Sequence, residues 1–334
     1  MALPRTTIAA ALACALLAAG CGSGGASTAA GTTTSKKKTV GHSAALRTPR
    51  ALRYRPLYSL GAALQDPGTA ALDTAHFVLM GGLDAGDTST DSVIVGTRAA
   101  AAVRATLPNA QHDADAATLG GHVYLFGGGQ FNQYDHILAF DPAAGTVAQA
   151  GTLPAAQSDV AVTGNGETAY IVGGFDGTNS LNTILAWRPG GAPQVVGHLP
   201  VALRYAAVTL ARGAVIIVGG SLPSGNASDA IYRFDPSSGQ VSTLGRLPAP
   251  LTHAGAAQLD GTVFVVGGRG SGLDSQTSQI LAVNPVTGAV RPAGRLPQPL
   301  SDAGVVALGQ AIIVAGGRSA GGTQAAVGEL VPTG

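Results

Sequence analysis

The chain has 334 residues, 46% of them hydrophobic but only 11% charged, and 49 glycines and 19 prolines interrupt nearly every window of helical length. That balance favours short apolar strands separated by turns and leaves helix a minor component. The formal net charge of +1 comes without a basic block in the body of the chain, which argues against nucleic acid as a partner.

In chain order, Arg5 stands ahead of the apolar stretch Ile8 to Ala19, which is too short for an ordinary transmembrane helix and has the pattern of a secretory signal peptide. The stretch ends Leu17-Ala18-Ala19-Gly20-Cys21. It resembles the bacterial lipobox, in which small residues precede a cysteine that is diacylated and becomes the new N-terminus; Ala18 stands where that motif usually has leucine. The resemblance implies a signal peptide over residues 1–20 and a lipid on Cys21, which would hold the mature chain at the outer face of the bacterial cell membrane. Residues 21–45, with Gly22-Ser23-Gly24-Gly25 and Lys36-Lys37-Lys38, are too small and polar to bury a core and read as a flexible tether. The three lysines read as solvated linker charge, with contact to anionic headgroups as the alternative. Cys14 and Cys21 are the two cysteines, so residues 46–334 offer no disulfide, thiolate or cysteine metal ligand.

Residues 46–334 are built on a repeat. Six apolar runs end in paired glycines: Gly81-Gly82, Gly127-Gly128, Gly173-Gly174, Gly219-Gly220, Gly267-Gly268 and Gly316-Gly317. Their spacings are 46, 46, 46, 48 and 49 residues. Before each of the last five comes a Leu-Pro, at 107, 153, 199, 247 and 296, followed by a small-residue strand and a tight turn. After the glycines come a polar loop, a third strand such as Ile184-Leu185-Ala186-Trp187, and a turn such as Asp141-Pro142-Ala143-Ala144-Gly145 leading to a fourth strand. An apolar run without alternation suits a strand covered on both faces, and the glycine pair lets the chain turn where neighbouring units crowd.

The pattern resembles the kelch repeat, whose four-stranded blade and period near 50 residues are the family's marks. Tyr124 and Tyr170 stand three places before their glycine pairs, where kelch repeats favour tyrosine, and Phe264 substitutes there. The fourth-strand tryptophan of that family is absent, with Val147, Val241 and Val290 near its place and Tyr54 the lone aromatic. The resemblance implies an all-β fold: a six-bladed β-propeller of kelch-like repeats. Only one strand, near Ala325 to Val331, follows the sixth glycine pair, whereas Ala51 to Leu60 precedes the first blade and aligns with the other fourth strands. The N-terminal strand is therefore expected to close the last blade.

Aligning on Leu-Pro gives one column at the entry to each first strand: Asp66, Asp113, Asp159, Tyr205, His253 and Asp302. In kelch propellers such residues face one mouth of the central channel. The preceding column is Gln65, His112, Ser158, Arg204, Thr252 and Ser301, and the loops after Gly-Gly add Arg269 and Arg318. One reading is structural, with the aspartates accepting backbone N–H groups in Asx turns and holding blades in register. The other is a polar mouth for a sugar, a peptide or hydrated Ca²⁺, although no calcium-loop motif is present.

Among kelch enzymes, the galactose oxidase pattern fails for want of a cysteine to cross-link a tyrosine. The bacterial sialic acid mutarotases are closer, but the two glutamates, Glu167 and Glu329, form no acid–base set. The seven histidines lack metal-ligand spacing, and Asn226-Ala227-Ser228 matches a glycosylation pattern that carries no weight in a bacterial lipoprotein. The residues thus point to a monomeric, membrane-anchored recognition module without metal or other cofactor. It would bind a protein or glycan through Asp66, Asp113, Asp159, Tyr205, His253, Asp302, Arg204, Arg269 and Arg318. A sugar mutarotase-like enzyme is the alternative.

Overall fold

The computed structural model describes residues 51–333, all within the unit Leu46–Gly334. The leader, Cys21 and the tether lie outside the described residues. Those described form strands, turns and loops and no helix. Four-stranded antiparallel sheets recur along the chain, such as Ala161–Gly164, Ala169–Val172, Thr183–Trp187 and Gln194–His198 in that spatial order.

Two further sheets of this kind follow in order, over Ala207–Leu251 and Gly255–Arg295. The first two repeats share a seven-stranded sheet, because the 19-residue strand Ala101–Leu119 serves both. Its first part pairs with Thr90–Gly96, and its second part, from His112, pairs with His122–Gly129. The backbone stays extended through Leu107-Pro108 and again through Leu247-Pro248 within Gln240–Leu251. Proline's fixed φ suits extended chain wherever no ladder N–H is required there.

The N-terminal strand Leu52–Ser59 pairs antiparallel with Ala326–Pro332, in the sheet that also holds Ala311–Ala315 and Gly304–Leu308. One buried glutamate fastens this pairing: Glu329 lies 2.8 Å from Arg55 on the N-terminal strand and 2.9 Å from Arg98 of the first repeat.

Each run ahead of a glycine pair is buried along its length, as in Phe77–Met80 and Ala214–Val218. The reason is packing between repeats. Every apolar cluster mixes two neighbours: Phe126 and Leu153 meet Ile171 and Trp187, for example, and Leu64 and Leu79 meet Ile313 and Val327. The lone tryptophan belongs to a third strand, where its ring makes edge contacts with Tyr124 and Phe126 at 5.0 and 5.5 Å.

The glycine pairs are fixed by backbone crowding. The second glycine donates its N–H to the next repeat's carbonyl, Gly128 to Gln157 at 2.9 Å and Gly174 to Leu203 at 2.9 Å. A Cβ on the first glycine would overlap that same oxygen, and its φ near +60° is in the left-handed region.

Candidate functional site

The six aligned residues share one backbone state. Asp66, Asp113, Asp159, Tyr205, His253 and Asp302 all have φ between 50 and 57°, a region that side chains other than glycine enter at a cost. The strain accompanies a chain of hydrogen bonds between repeats. The N–H of Asp66 donates to Asp302 O at 2.7 Å, that of Asp302 to His253 O at 3.0 Å, and that of His253 to Tyr205 O at 3.3 Å. Tyr205 donates to Asp159 O at 3.1 Å and Asp159 to Asp113 O at 2.7 Å. The sixth link uses a side chain: Asp113 N–H donates to Asp66 Oδ2 at 2.9 Å, returning the chain of donors to its start. Register is thus held mainly by backbone amides. The Asx turns fall elsewhere, at residues such as Asp141 and Asp176.

These residues and the first strands that follow them surround a cavity of about 430 Å³, lined otherwise mainly by alanine, glycine, valine and threonine. Its acids are crowded. Burial, then the charge of Asp113, drives the Asp66 carboxyl well above its usual range. Asp159 is pushed up to about 7 by burial and by Asp113, with Arg204 opposing. Asp302 is pushed up to about 6, chiefly by burial, against a hydrogen bond from Ser301. Burial would raise Asp113 as well, but hydrogen bonds from Asp66, Asp159 and Tyr205 and the charge of His112 hold it below the ordinary value. Within the cluster Asp113 is thus held at a lower proton affinity than the acids around it.

Basic groups stand beside these acids. Residues of the preceding column pair through the backbone with those just after Gly-Gly, Arg204 with Ser221 and Thr252 with Arg269. Arg204 forms an ion pair with the buried Asp159 and lies 4.4 Å over the Phe175 ring. Tyr205 stacks on His253 at 3.9 Å. Arg269 Nη2 donates to His253 Nε2 at 3.1 Å, so the neutral ring donates from Nδ1 to Thr252 Oγ1 at 3.0 Å. Burial, then the charge of Arg269, pushes this histidine down to about 3. Beside the pair opens a side pocket of about 340 Å³, lined by Arg204, Tyr205, His253 and Arg269 with Ser180, Ser221, Ser271 and the exposed Leu273 among others.

The structure thus gathers Asp66, Asp113, Asp159, Tyr205, His253 and Asp302 around the cavity and Arg204 and Arg269 around the side pocket. Arg318 lies outside both linings and pairs with Asp87 at 3.1 Å. Glu167 stays in its turn, and Glu329 is a structural ion-pair partner. Among the described residues no group of three or more His, Cys, Asp or Glu is placed to hold a metal ion.

Two features were not read from the sequence. Asp115 lines the cavity and accepts N–H groups from Ala116 at 2.8 Å, Val162 at 2.7 Å and Thr69 at 3.4 Å, spanning three repeats; burial pushes it up to about 7. The side pocket's serines and Phe175 sit in loops that differ from repeat to repeat.

No protein-family model matches the chain, and no curated protein matches its sequence. A solved structure of YjhT is similar, with a TM-score of 0.70, 16% sequence identity, and coverage of 82% of this chain and 96% of its own. The likeness extends over nearly all of that structure and shows the fold: an all-β, β-propeller-like array of antiparallel sheets.

Proposed function

We propose that this chain is an exported, lipid-anchored recognition module: a six-bladed kelch-like propeller, its last blade completed by the N-terminal strand, that binds a glycan at one mouth. The return of the inter-repeat hydrogen bonds from Asp302 to Asp66, and the apolar cluster joining Leu64 and Leu79 to Ile313, support the six-fold reading. The leader and Cys21 support the location.

The observation that carries the function is the side pocket, where two arginines, three serines and a stacked aromatic pair converge beside the acid-lined cavity, with which it shares Tyr205 and His253. Arginine and hydroxyl groups match the oxygens of a sugar, and a flat aromatic pair matches its apolar face. A protein surface is the other class of partner.

A mutarotase-like enzyme is the second reading. It is favoured by Asp159 and Asp302, whose proton affinities near neutrality suit acid–base transfer on a sugar ring.

A thermal-shift series on the full chain with neutral sugars, acidic sugars and Ca²⁺ tests the reading. Stabilisation by a sugar, lost in Arg204→Ala and Arg269→Ala, supports glycan recognition. Faster anomer exchange of that sugar moves the assignment to the enzyme, and no shift with any of them moves it to a protein partner.

A further inference from the structure

Arg204 belongs to two sites at once. Its Nε donates to Asp159 on the central cavity, while the same side chain, about one-third exposed, lines the side pocket. The lining of that pocket holds two arginines and no acid. Arg269 spends a donor on His253, a neutral acceptor, and the countercharge of Arg204 comes from outside the pocket. Such a lining selects an anion, and an anion that enters competes with Asp159 for Arg204.

Asp159 is poorly placed to stay ionised after such a competition. It is 2% exposed, and the carboxylate facing it from the neighbouring repeat is Asp113, which in turn accepts from Asp66 and Tyr205. The Ser158 hydroxyl is its other donor, while Arg269 and Arg318 act on Asp302 instead. With Arg204 in place, burial and Asp113 already hold Asp159 at about 7; removing the guanidinium raises it further.

We propose that a carboxylate-bearing sugar seated in the side pocket draws Arg204 away from Asp159, and that Asp159 then takes up one proton from solvent, so that anion binding and proton uptake are a single event. The inference rests on the glycan reading above and adds its ligand class and its pH control. Proton and charge balance: the ligand's carboxylate replaces that of Asp159 at the guanidinium, and the proton neutralises the carboxylate left behind.

Calorimetric titration of the full chain with D-glucuronate, and with D-glucose as the neutral probe, tests this in two buffers of different ionisation enthalpy. The dissociation constant for glucuronate should be level below about pH 6.5 and weaken about tenfold per pH unit above about pH 7.5, with uptake of about one proton per ligand at pH 8. Asp159→Asn should bind without pH dependence and without proton uptake. Should that variant fail to fold, the buffer comparison on the unaltered chain decides alone. Glucuronate binding without proton uptake at pH 8, or glucose binding in its place, overturns the inference and leaves the mouth a sugar site. Binding of neither sugar at any pH overturns the inference and the glycan reading together.

Discussion

The backbone N–H of Gly317, in the last glycine pair, donates to the carbonyl of Leu64, ahead of the first pair, at 2.8 Å. A Cβ on the neighbouring Gly316 would overlap that same oxygen. Gly316→Ala should therefore cost about 3–5 kcal/mol, since backbone must move as well as adopt a strained φ. Gly120→Ala, also at positive φ but with nothing within 4 Å of the added methyl, should cost only about 1–2 kcal/mol. Urea titrations of the two variants make the comparison.

Glu329 is buried between two arginines that are themselves about half exposed. Glu329→Ala should destabilise by about 2–3 kcal/mol, because it removes the shared countercharge and leaves a void. Arg55→Ala, at the exposed end, should cost less than about 1 kcal/mol. Equal losses in the two denaturation curves would show that the triad does not hold the N-terminal strand.

The acid cluster reverses the usual pH trend. Asp115, Asp159 and Asp302 have folded values of about 7, about 7 and about 6, raised by burial above those of the unfolded chain. The folded state thus binds more protons across the window from about pH 4 to about pH 7, so their stabilisation is complete below that window and is lost as pH rises through it. His253, pushed down to about 3, works the other way below its unfolded value near 6.5, but it is one group against three. The melting temperature should be higher at pH 5.5 than at pH 8, and Asp159→Asn with Asp302→Asn should reduce the difference to the part that Asp115 carries.

If Cys21 carries the proposed lipid, Cys21→Ala should release the chain from the membrane fraction into the soluble extracytoplasmic fraction. Retention on the membrane would remove the lipid from the account.

Much of this fold is legible because one steric rule repeats. A glycine pair is needed wherever a neighbouring carbonyl occupies the Cβ position, so the period of the pairs reports the period of the packing. The column from Asp66 to Asp302 is legible for the same reason: it occupies one backbone state six times. What that column does with its side chains is not periodic. Asp113 is held below the ordinary carboxylate range and Asp66 is driven well above it, because their surroundings differ. Asp115 escaped notice because glycine or alanine stands at its place in the other repeats, where no carboxylate gathers amides. The side pocket escaped because Ser180, Ser221 and Leu273 come from loops of unequal length, whose meeting is set by tertiary structure rather than by period.

The central claim, that the arginine-lined side of the mouth is the ligand site, is tested most directly by amide hydrogen exchange with and without D-glucuronate at pH 6. Protection confined to the loops holding Phe175 to Ser180, Ser221 to Gly225 and Arg269 to Leu273 is the predicted result. Protection elsewhere, or none at saturating sugar, would contradict it.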